Sequence, residues 1–344
     1  MLDLRELRVP GFETVFEATD PDREYHAFLA VHSTRLGPAV GGTRFLAYPS
    51  EAAALADALR LAEGMTLKSA LAGVALGGGK AVLLQPAGAF DRSALFRTHG
   101  LAVEMLGGRY ITAGDVGTSV DDLESIATGT SHVMGRVGGM GDSGPFTARG
   151  VLQGMRAVAE VVLERPGLAG VRVAVQGAGK VGGELCRLLL AEGAEVLVAD
   201  SDPERAAAAA GATGTVVPVD RIHAVEVGIF SPCALGGALH AEMIPALRAR
   251  AVVGAANNQL ASPEMLDLLV EKGICYLPDF LANAGGILSG CADLLDYSRD
   301  ECLRRIDGIR ETAERVLHEA RVRNEPPLHA ALRIARAALV DPGA

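Results

Sequence analysis

The chain has 344 residues, of which 49% are hydrophobic and 22% charged, and a formal net charge of −10. That length and apolar fraction suffice for two buried cores and exclude a disordered chain. An acidic balance of this size offers no basic footprint for nucleic acid or an anionic membrane, so a small molecule is the expected partner. Cys186, Cys233, Cys275, Cys291 and Cys302 are odd in number and contain no Cys-x-x-Cys pair. Neither a disulfide framework nor a metal site is expected, and the thiols read as reduced, as in the cytoplasm. The amino-terminal stretch lacks the apolar core of a signal peptide, and no run of roughly 18 apolar residues occurs, so a soluble protein with no membrane partner is expected.

Taken in order, residues 1–50 read as short strands, with 25–31 the clearest. Gly37-Pro38-Ala39-Val40-Gly41-Gly42-Thr43-Arg44 flanks a small apolar pair with turn residues, which fits either a ligand-facing loop or a surface turn. Helical period then runs over 51–71, with Leu55, Leu59, Ala62 and Met65 as its stripe, Ser50 as N-cap and Glu51 in the first turn. Lys68 therefore sits on a helix. Gly77-Gly78-Gly79 removes three successive β-carbons, and the expectation is a short turn that tolerates positive φ and lets another molecule approach. Lys80 follows at once, and 81–84 reads as a short apolar strand that holds the foot of Lys80 at the mouth of a dry cleft. If the 51–71 helix folds back on this strand, two ammonium groups share one pocket. Each then lowers the other's pKa, which makes a base out of a lysine.

A helix is expected over 91–106, then a strand over 109–112 that stops at Ala113-Gly114-Asp115. Asp115 thus lies at the carboxyl end of a strand, ahead of a helix capped by Ser119. A lone aspartate in a glycine-rich loop usually stabilises the turn; here two lysines need a counter-charge, which favours a place in the site. Residues 135–145 are the densest in glycine and read as the hinge. On this reading 1–143, with 325–344 returning, form a first domain and 144–324 a second.

The second half opens on the strongest single motif. A strand over 171–176 runs into Gly177-Ala178-Gly179-Lys180-Val181-Gly182, a helix follows to about 192, and a strand over 195–199 ends at Asp200, 23 positions after Gly177. G-x-G-x-x-G between strand and helix, with a distant acidic residue, is the dinucleotide-binding arrangement. The amides at the helix start would take the pyrophosphate and Asp200 the adenosine ribose. Asp200 and Asp202 would repel a 2′-phosphate, which favours NAD. Helices over 204–210, 242–248, 263–272, 302–323 and 328–339 alternate with strands over 227–230, 251–254 and 274–277. Amides cluster at two expected strand ends, Ala256-Asn257-Asn258-Gln259 and Asn283-Ala284-Gly285-Gly286, where they suit a carboxamide or carboxylate.

Together, Gly41-Gly42-Thr43-Arg44, Gly64-Met65-Thr66 with Lys68, Gly77-Gly78-Gly79-Lys80, Thr112-Ala113-Gly114-Asp115, Pro232-Cys233-Ala234-Leu235-Gly236-Gly237, Asn258-Gln259-Leu260 and Asn283-Ala284-Gly285-Gly286 resemble the amino acid dehydrogenase superfamily, leucine, valine and phenylalanine dehydrogenases above all. The resemblance implies two domains, an N-terminal α/β substrate and catalytic domain and a C-terminal doubly wound Rossmann domain, with the active site in the cleft between them. It implies NAD-dependent oxidative deamination of an L-amino acid to the 2-oxo acid and ammonia, and a homo-oligomer, dimer or higher. Carried over by motif, Lys68 holds the substrate carboxylate, Lys80 activates the attacking water, and Asp115 binds the amino group and shuttles protons. Gly41, Gly42, Val40, Met65, Ala113, Ile287 and Gly290 would line the substrate, with Asn258 and Asn283 shared between substrate and nicotinamide. Thr147, Cys233, Ala234, Leu235, Ala256 and Asn257 complete the expected cofactor contacts.

Glutamate dehydrogenases place a lysine before the Gly-Gly pair and a serine after Asn-Ala-Gly-Gly; here those positions are Val40 and Gly290. The side-chain pocket is therefore apolar, and glutamate would bury an unpaired charge. Ala113 and Ile287 match the leucine type. Val40 and Gly290 are smaller than usual there, which keeps a phenylalanine or broad aromatic dehydrogenase open as the alternative. A non-catalytic NAD sensor would need only Gly177 to Gly182 and Asp200, and has no use for Lys68, Lys80 and Asp115.

Overall fold

The computed structural model describes residues 1–136, 140–292 and 294–340. Its packing divides the chain into two compact units: Met1–Gly141 with Gly290–Asp296 and Ala335–Ala344, and Asp142–Ser289 with Tyr297–Ile334. Of the expected hinge, residues 137–139 lie outside the described residues.

In the first unit β1 (Asp3–Leu7), β2 (Thr14–Asp20), β3 (Tyr25–Ser33), β4 (Ala39–Leu46), β5 (Gly77–Leu84) and β6 (Tyr110–Gly114) make one sheet, ordered β1-β2-β3-β5-β4-β6. The strands from β1 to β5 pair antiparallel, whereas β5, β4 and β6 run parallel. Helix α1 (Glu51–Leu71) starts at Ser50, whose side chain accepts from the Ala53 amide. It covers one face of the sheet by packing Ala54, Ala58 and Ala62 onto Phe28, Ala30 and Val82. The contact stripe is thus alanine, with Leu55 and Leu59 at its margin. Small side chains bring the helix axis close to the strands. Helices α2 (Arg92–Glu104) and α3 (Val120–Ala127) cover the other face over Tyr25, Leu29, Phe45, Phe96 and Ile126. Each fully buried large side chain there contributes roughly 1.5–3 kcal/mol.

Two sequence expectations fail here for one reason. Gly77, Gly78 and Gly79 are not a turn of positive φ but the first half of β5, and 37–44 is not a loop but mostly β4, between β5 and β6. The glycines are needed because neighbouring backbone comes too close for a β-carbon. One on Gly78 would lie 2.5 Å from the Thr66 Cα of α1, one on Gly79 would lie 2.8 Å from the Tyr110 ring, and one on Gly41 would strike the Gly79 carbonyl.

In the second unit β7 (Arg172–Gln176), β8 (Glu195–Ala199), β9 (Thr215–Val216), β10 (Val227–Pro232), β11 (Ala249–Val252) and β12 (Cys275–Tyr276) form an all-parallel sheet ordered β12-β11-β10-β7-β8-β9. This is the doubly wound order, and it reverses between β7 and β10, the switch point where such sheets hold ligands. Its helices are α4 (Gly144–Val161), α5 (Lys180–Ala191), α6 (Pro203–Ala210), α7 (Met265–Glu271), α8 (Asp279–Ala282), α9 (Gly285–Gly290), α10 (Arg299–Asp307), α11 (Ile309–Arg323) and α12 (Pro327–Val340). The helix expected over 242–248 is only a 3-10 turn at Ile244–Ala246, where Pro245 cannot donate to a longer helix. The helix expected over 302–323 is broken at Gly308 into α10 and α11. Asn283 does not follow a strand but caps the short α8 beyond β12. All five cysteines are unpaired, and among the described residues no helix is long and apolar enough to cross a membrane.

Candidate active site

Lys80 is the fourth residue of β5 and only 5% exposed. It pairs with Ala30 across β3 and shares the face of Val82, the face that α1 covers. Across β4, Arg44 pairs with Val82 and Thr43 with Gly114. Asp115, one step past β6, therefore comes level with Arg44. The Lys80 Nζ lies 2.6 Å from Asp115 Oδ2, and Arg44 Nε donates to the same oxygen at 3.0 Å. Arg44 also donates to Asp57 Oδ2 at 2.9 Å, where the Tyr48 hydroxyl donates at 2.7 Å, and Arg60 donates to Asp57 Oδ1 at 2.6 Å. The result is a ladder of alternating charge, Lys80–Asp115–Arg44–Asp57–Arg60, running from the sheet interior to solvent. The Asp115 backbone is pinned as well: its amide donates to Thr118 Oγ1, and that hydroxyl donates back to its carbonyl, both at 2.7 Å.

Burial pulls the Lys80 ammonium below the ordinary lysine range; Asp115 opposes that pull and Arg44 adds to it. Burial alone would raise Asp115, but the Lys80 and Arg44 charges outweigh it and hold the carboxyl below its usual range. The pair is thus a carboxylate that stays ionised beside an amine that sheds its proton more readily than most.

Lys68 is half-buried on α1, on the stripe that contains Asp57 and Gly64, three turns beyond Asp57. Met65 Cγ lies 3.4 Å from where a β-carbon on Gly41 would stand, and a β-carbon on Gly42 would lie 2.9 Å from Asp115 Cβ. Val40 is buried between Gly78 and Ile111, and Ala113 is half-buried opposite Gly42. The structure thus gathers Lys80, Asp115, Val40, Gly41, Gly42, Met65 and Ala113 at the parallel strands of the first unit. Gly290 also belongs to this unit, with Met134 Cε 3.4 Å from its β-carbon position; Ile287 is buried on α9.

Two features escaped the sequence reading. Arg44 stood in a quoted motif without a role, and nothing local pointed to Asp57 or Tyr48. The second is a buried polar chain behind β4. Tyr110 donates to the Gly41 carbonyl at 2.5 Å, Thr112 bonds Thr43 at 2.7 Å, and Thr43 bonds His99 Nε2 at 2.7 Å. Tyr25 closes it on His99 Nδ1 at 2.9 Å. Complete burial holds His99 neutral, with its pKa lowered to about 3.

In the second unit the glycine loop sits at the switch point. Gly177 has φ +100°, a region glycine alone enters freely, and a β-carbon on it would lie 2.8 Å from the Ala234 amide. A β-carbon on Gly182 would strike the Gly177 carbonyl and lie 3.2 Å from Cys233 Cβ. The loops after β7 and β10 therefore interlock, with Leu235 exposed beside them. Gly179 caps α5 without a side chain and faces open space, so the first-turn amides of Lys180, Val181 and Gly182 present the positive helix end. Asp200 Oδ1 accepts from the Asp202 amide at 2.9 Å and Oδ2 from Ala178 at 2.6 Å, and these bonds hold its carboxyl below the usual range. The Ala178 amide is therefore committed to Asp200 rather than to a phosphate.

Asn283 is 4% exposed; its Nδ2 donates to the Ala255 carbonyl at 3.1 Å and to Asn257 Oδ1 at 2.8 Å. Its Oδ1 is buried without a partner among the described residues. Ala256 is buried nearby in the chain, and Asn258 holds a left-handed φ of +53°. Thr147 donates to the Ser143 carbonyl and lies 2.8 Å from where a β-carbon on Gly286 would stand.

Residues 13–132 match the Glu/Leu/Phe/Val dehydrogenase dimerisation domain, and 203–341 match the Glutamate/Leucine/Phenylalanine/Valine dehydrogenase family. The leucine dehydrogenase of Geobacillus stearothermophilus is 43% identical over 328 residues, 94% of this chain and 89% of that one. The chain belongs to the Glu/Leu/Phe/Val dehydrogenase family. It is accordingly an amino acid dehydrogenase, an oxidoreductase of CH–NH2 donors that works with a nicotinamide cofactor. A valine dehydrogenase of Streptomyces albus is 42% identical over 96% of this chain and 93% of that one. Among solved structures of such dehydrogenases, the L-tryptophan dehydrogenase of Nostoc punctiforme superposes with a TM-score of 0.86 at 37% identity, covering 96% of each chain.

Proposed function

We propose that this dehydrogenase converts an apolar L-amino acid of the leucine, valine or isoleucine type, with NAD⁺ and water, reversibly to the 2-oxo acid, ammonia and NADH. The observation that carries the reading is Lys80: a buried amine on a rigid strand, bonded to an ionised Asp115 and lowered in pKa. A bound nicotinamide would supply the acceptor for the hydride of the substrate Cα. Water attack on the resulting substrate iminium needs a neutral base at working pH, and Lys80 supplies it by taking the water proton. Asp115 holds the amino group, takes a proton from the substrate ammonium before hydride transfer and returns it to the nitrogen afterwards, so that nitrogen leaves as ammonia. Lys68 pairs with the substrate carboxylate, which requires it to stay charged while Lys80 does not.

The second unit fits the dinucleotide by three features. The α5 amino terminus behind Gly177 and Gly179 suits a pyrophosphate. The unpaired Asn283 Oδ1 suits a carboxamide NH2, beside Asn257; the resemblance adds Asn258 and Thr147 to the same end of the cofactor. The anionic Asp200 suits ribose hydroxyls and disfavours a 2′-phosphate, and Arg205 is tied to Asp202 at 3.1 Å; this supports NAD. The match of 13–132 to a dimerisation domain supports a homo-oligomer, and five free thiols suit a reducing cytoplasm.

A second reading, an aromatic amino acid as substrate, is favoured by the small Val40 and Gly290 and by the likeness to a tryptophan dehydrogenase. Met134 at Gly290 bears on it, because a thioether repacks around side chains of different size. NADH formation across L-leucine, L-valine, L-phenylalanine, L-tryptophan and L-glutamate decides between the readings. The highest kcat/KM is expected on branched chains, and a preference for glutamate would sink both.

A further inference from the structure

The ladder beyond Asp115 has no role in the reaction as written, yet it is built with care. Arg44 is the only side chain in it that touches both carboxylates: Nε reaches Asp115 Oδ2 at 3.0 Å and Nη1 reaches Asp57 Oδ2 at 2.9 Å. Its own side chain is 14% exposed and Asp57 16%. Asp57 is in turn fixed from both sides, by Tyr48 on Oδ2 and Arg60 on Oδ1. A guanidinium held at two edges by two carboxylates cannot swing, and it cannot lose its charge.

We propose that Arg44 is a positioning residue for the deamination: clamped by Asp57, it fixes the Asp115 carboxylate in one rotation and places a permanent positive charge beside Lys80. The inference rests on the function proposed above. Lys80 and Arg44 bond the same oxygen, so the Asp115 charge is divided between them. Without Arg44, Lys80 would hold that charge alone and keep its proton to higher pH. Arg44 therefore converts a stabilising ion pair into a usable base. The charged groups that act on Lys80 are Asp115 after β6, Arg44 on β4 and Asp57 on α1; Lys68 lies on the same helix, three turns beyond Asp57.

The test compares Arg44→Met, Arg44→Lys and Asp57→Asn with wild type, reading NADH binding by fluorescence and the pH profile of deamination. Removing the charge in Arg44→Met should move the acid limb of kcat/KM upward by about one to two pH units, from a charge lost across one shared carboxylate oxygen in a partly screened site. Arg44→Lys should restore the limb but not kcat, because an ammonium cannot span two carboxylates. Asp57→Asn keeps the Arg44 charge and releases the clamp, so KM for the amino acid should rise at least about threefold while the limb moves down rather than up, because the Asp57 carboxylate favours the Lys80 proton; it decides the matter if Arg44→Met does not fold. Wild type without deamination activity overturns the reaction and this inference with it. An active wild type whose limb ignores Arg44→Met, or whose KM ignores Asp57→Asn, overturns the inference alone.

Discussion

Replacing Gly78 with alanine tests whether the glycine run is there for close packing rather than for a turn. A β-carbon at 78 would lie 2.5 Å from the Thr66 Cα on α1, and the obstructing atoms include the Thr66 backbone, which no rotamer change can move. Overpacking typically costs 1–3 kcal/mol, and an obstacle this rigid places Gly78→Ala at about 3 kcal/mol or above. Gly64 is the internal control: it lies within α1, and nothing stands within 4 Å of its β-carbon position. Gly64→Ala should therefore stabilise by about 0.5–1 kcal/mol, the ordinary gain in a helix interior. Both are read from urea unfolding followed by circular dichroism. Gly78→Ala should also raise KM for the amino acid, because pushing α1 from β5 moves Lys68 away from Lys80. Equal midpoints for Gly78→Ala and wild type would refute the close-approach account, and a destabilised Gly64→Ala would refute the reading of that surface as open.

Lys80→Ala should leave NADH binding near normal and lower turnover by roughly 10²–10⁴, the range of general-base assistance; unchanged turnover would remove Lys80 from the chemistry. His99 has a folded pKa of about 3 against 6.5 when exposed, so its contribution is whole above pH 6.5 and is lost as pH falls toward 3. Integrated, that is on the order of 4–5 kcal/mol. His99→Gln should flatten the dependence of the urea midpoint on pH between those values, and an unchanged slope would contradict a buried neutral imidazole. Asp200→Ser should narrow the preference for NAD over NADP, measured as a ratio of kcat/KM; a constant ratio would place the specificity elsewhere.

What was legible in the sequence is what local chemistry decides. Ser50 and Ser119 start helices because a hydroxyl caps the amides just ahead of it, and both caps form as the sequence indicates. The β7–α5 turn and Asp200 could be placed because a tight strand-to-helix turn needs glycines at fixed spacing along one stretch of chain. The Gly77 to Gly79 run was misread because two different needs, permissive φ and absence of a β-carbon, call for the same residue. Only the approach of Thr66 and Tyr110, brought from elsewhere in the chain, tells them apart. Arg44 was present in a motif, but its meaning lies in Asp57 and Asp115, 13 and 71 residues away. No periodicity links them.

The placement of Lys80 on a strand rather than a loop explains why its neighbourhood is costly. A lysine between Gly79 and Ala81, with Ala30 across the ladder and α1 above it, is stripped of water by groups that cannot move aside. Desolvation of that kind depresses an amine, but it also makes the amine expensive to charge, and one aspartate alone would restore the proton through its attraction. Adding Arg44 on the far side of Asp115 satisfies both demands, since the carboxylate stays ionised while its pull on Lys80 is weakened. The new buried cation then needs Asp57, and Asp57 needs Tyr48 and Arg60. Side-chain exposure along the ladder goes from 6% at Lys80 to 52% at Arg60, where water takes over the compensation. Apolar side chains of similar volume would be at least as stable as such a ladder, whereas removing Arg44 or Asp57 leaves a half-buried charge without its partner. If Lys80 is the base proposed above, the ladder is the support that its place on a strand requires.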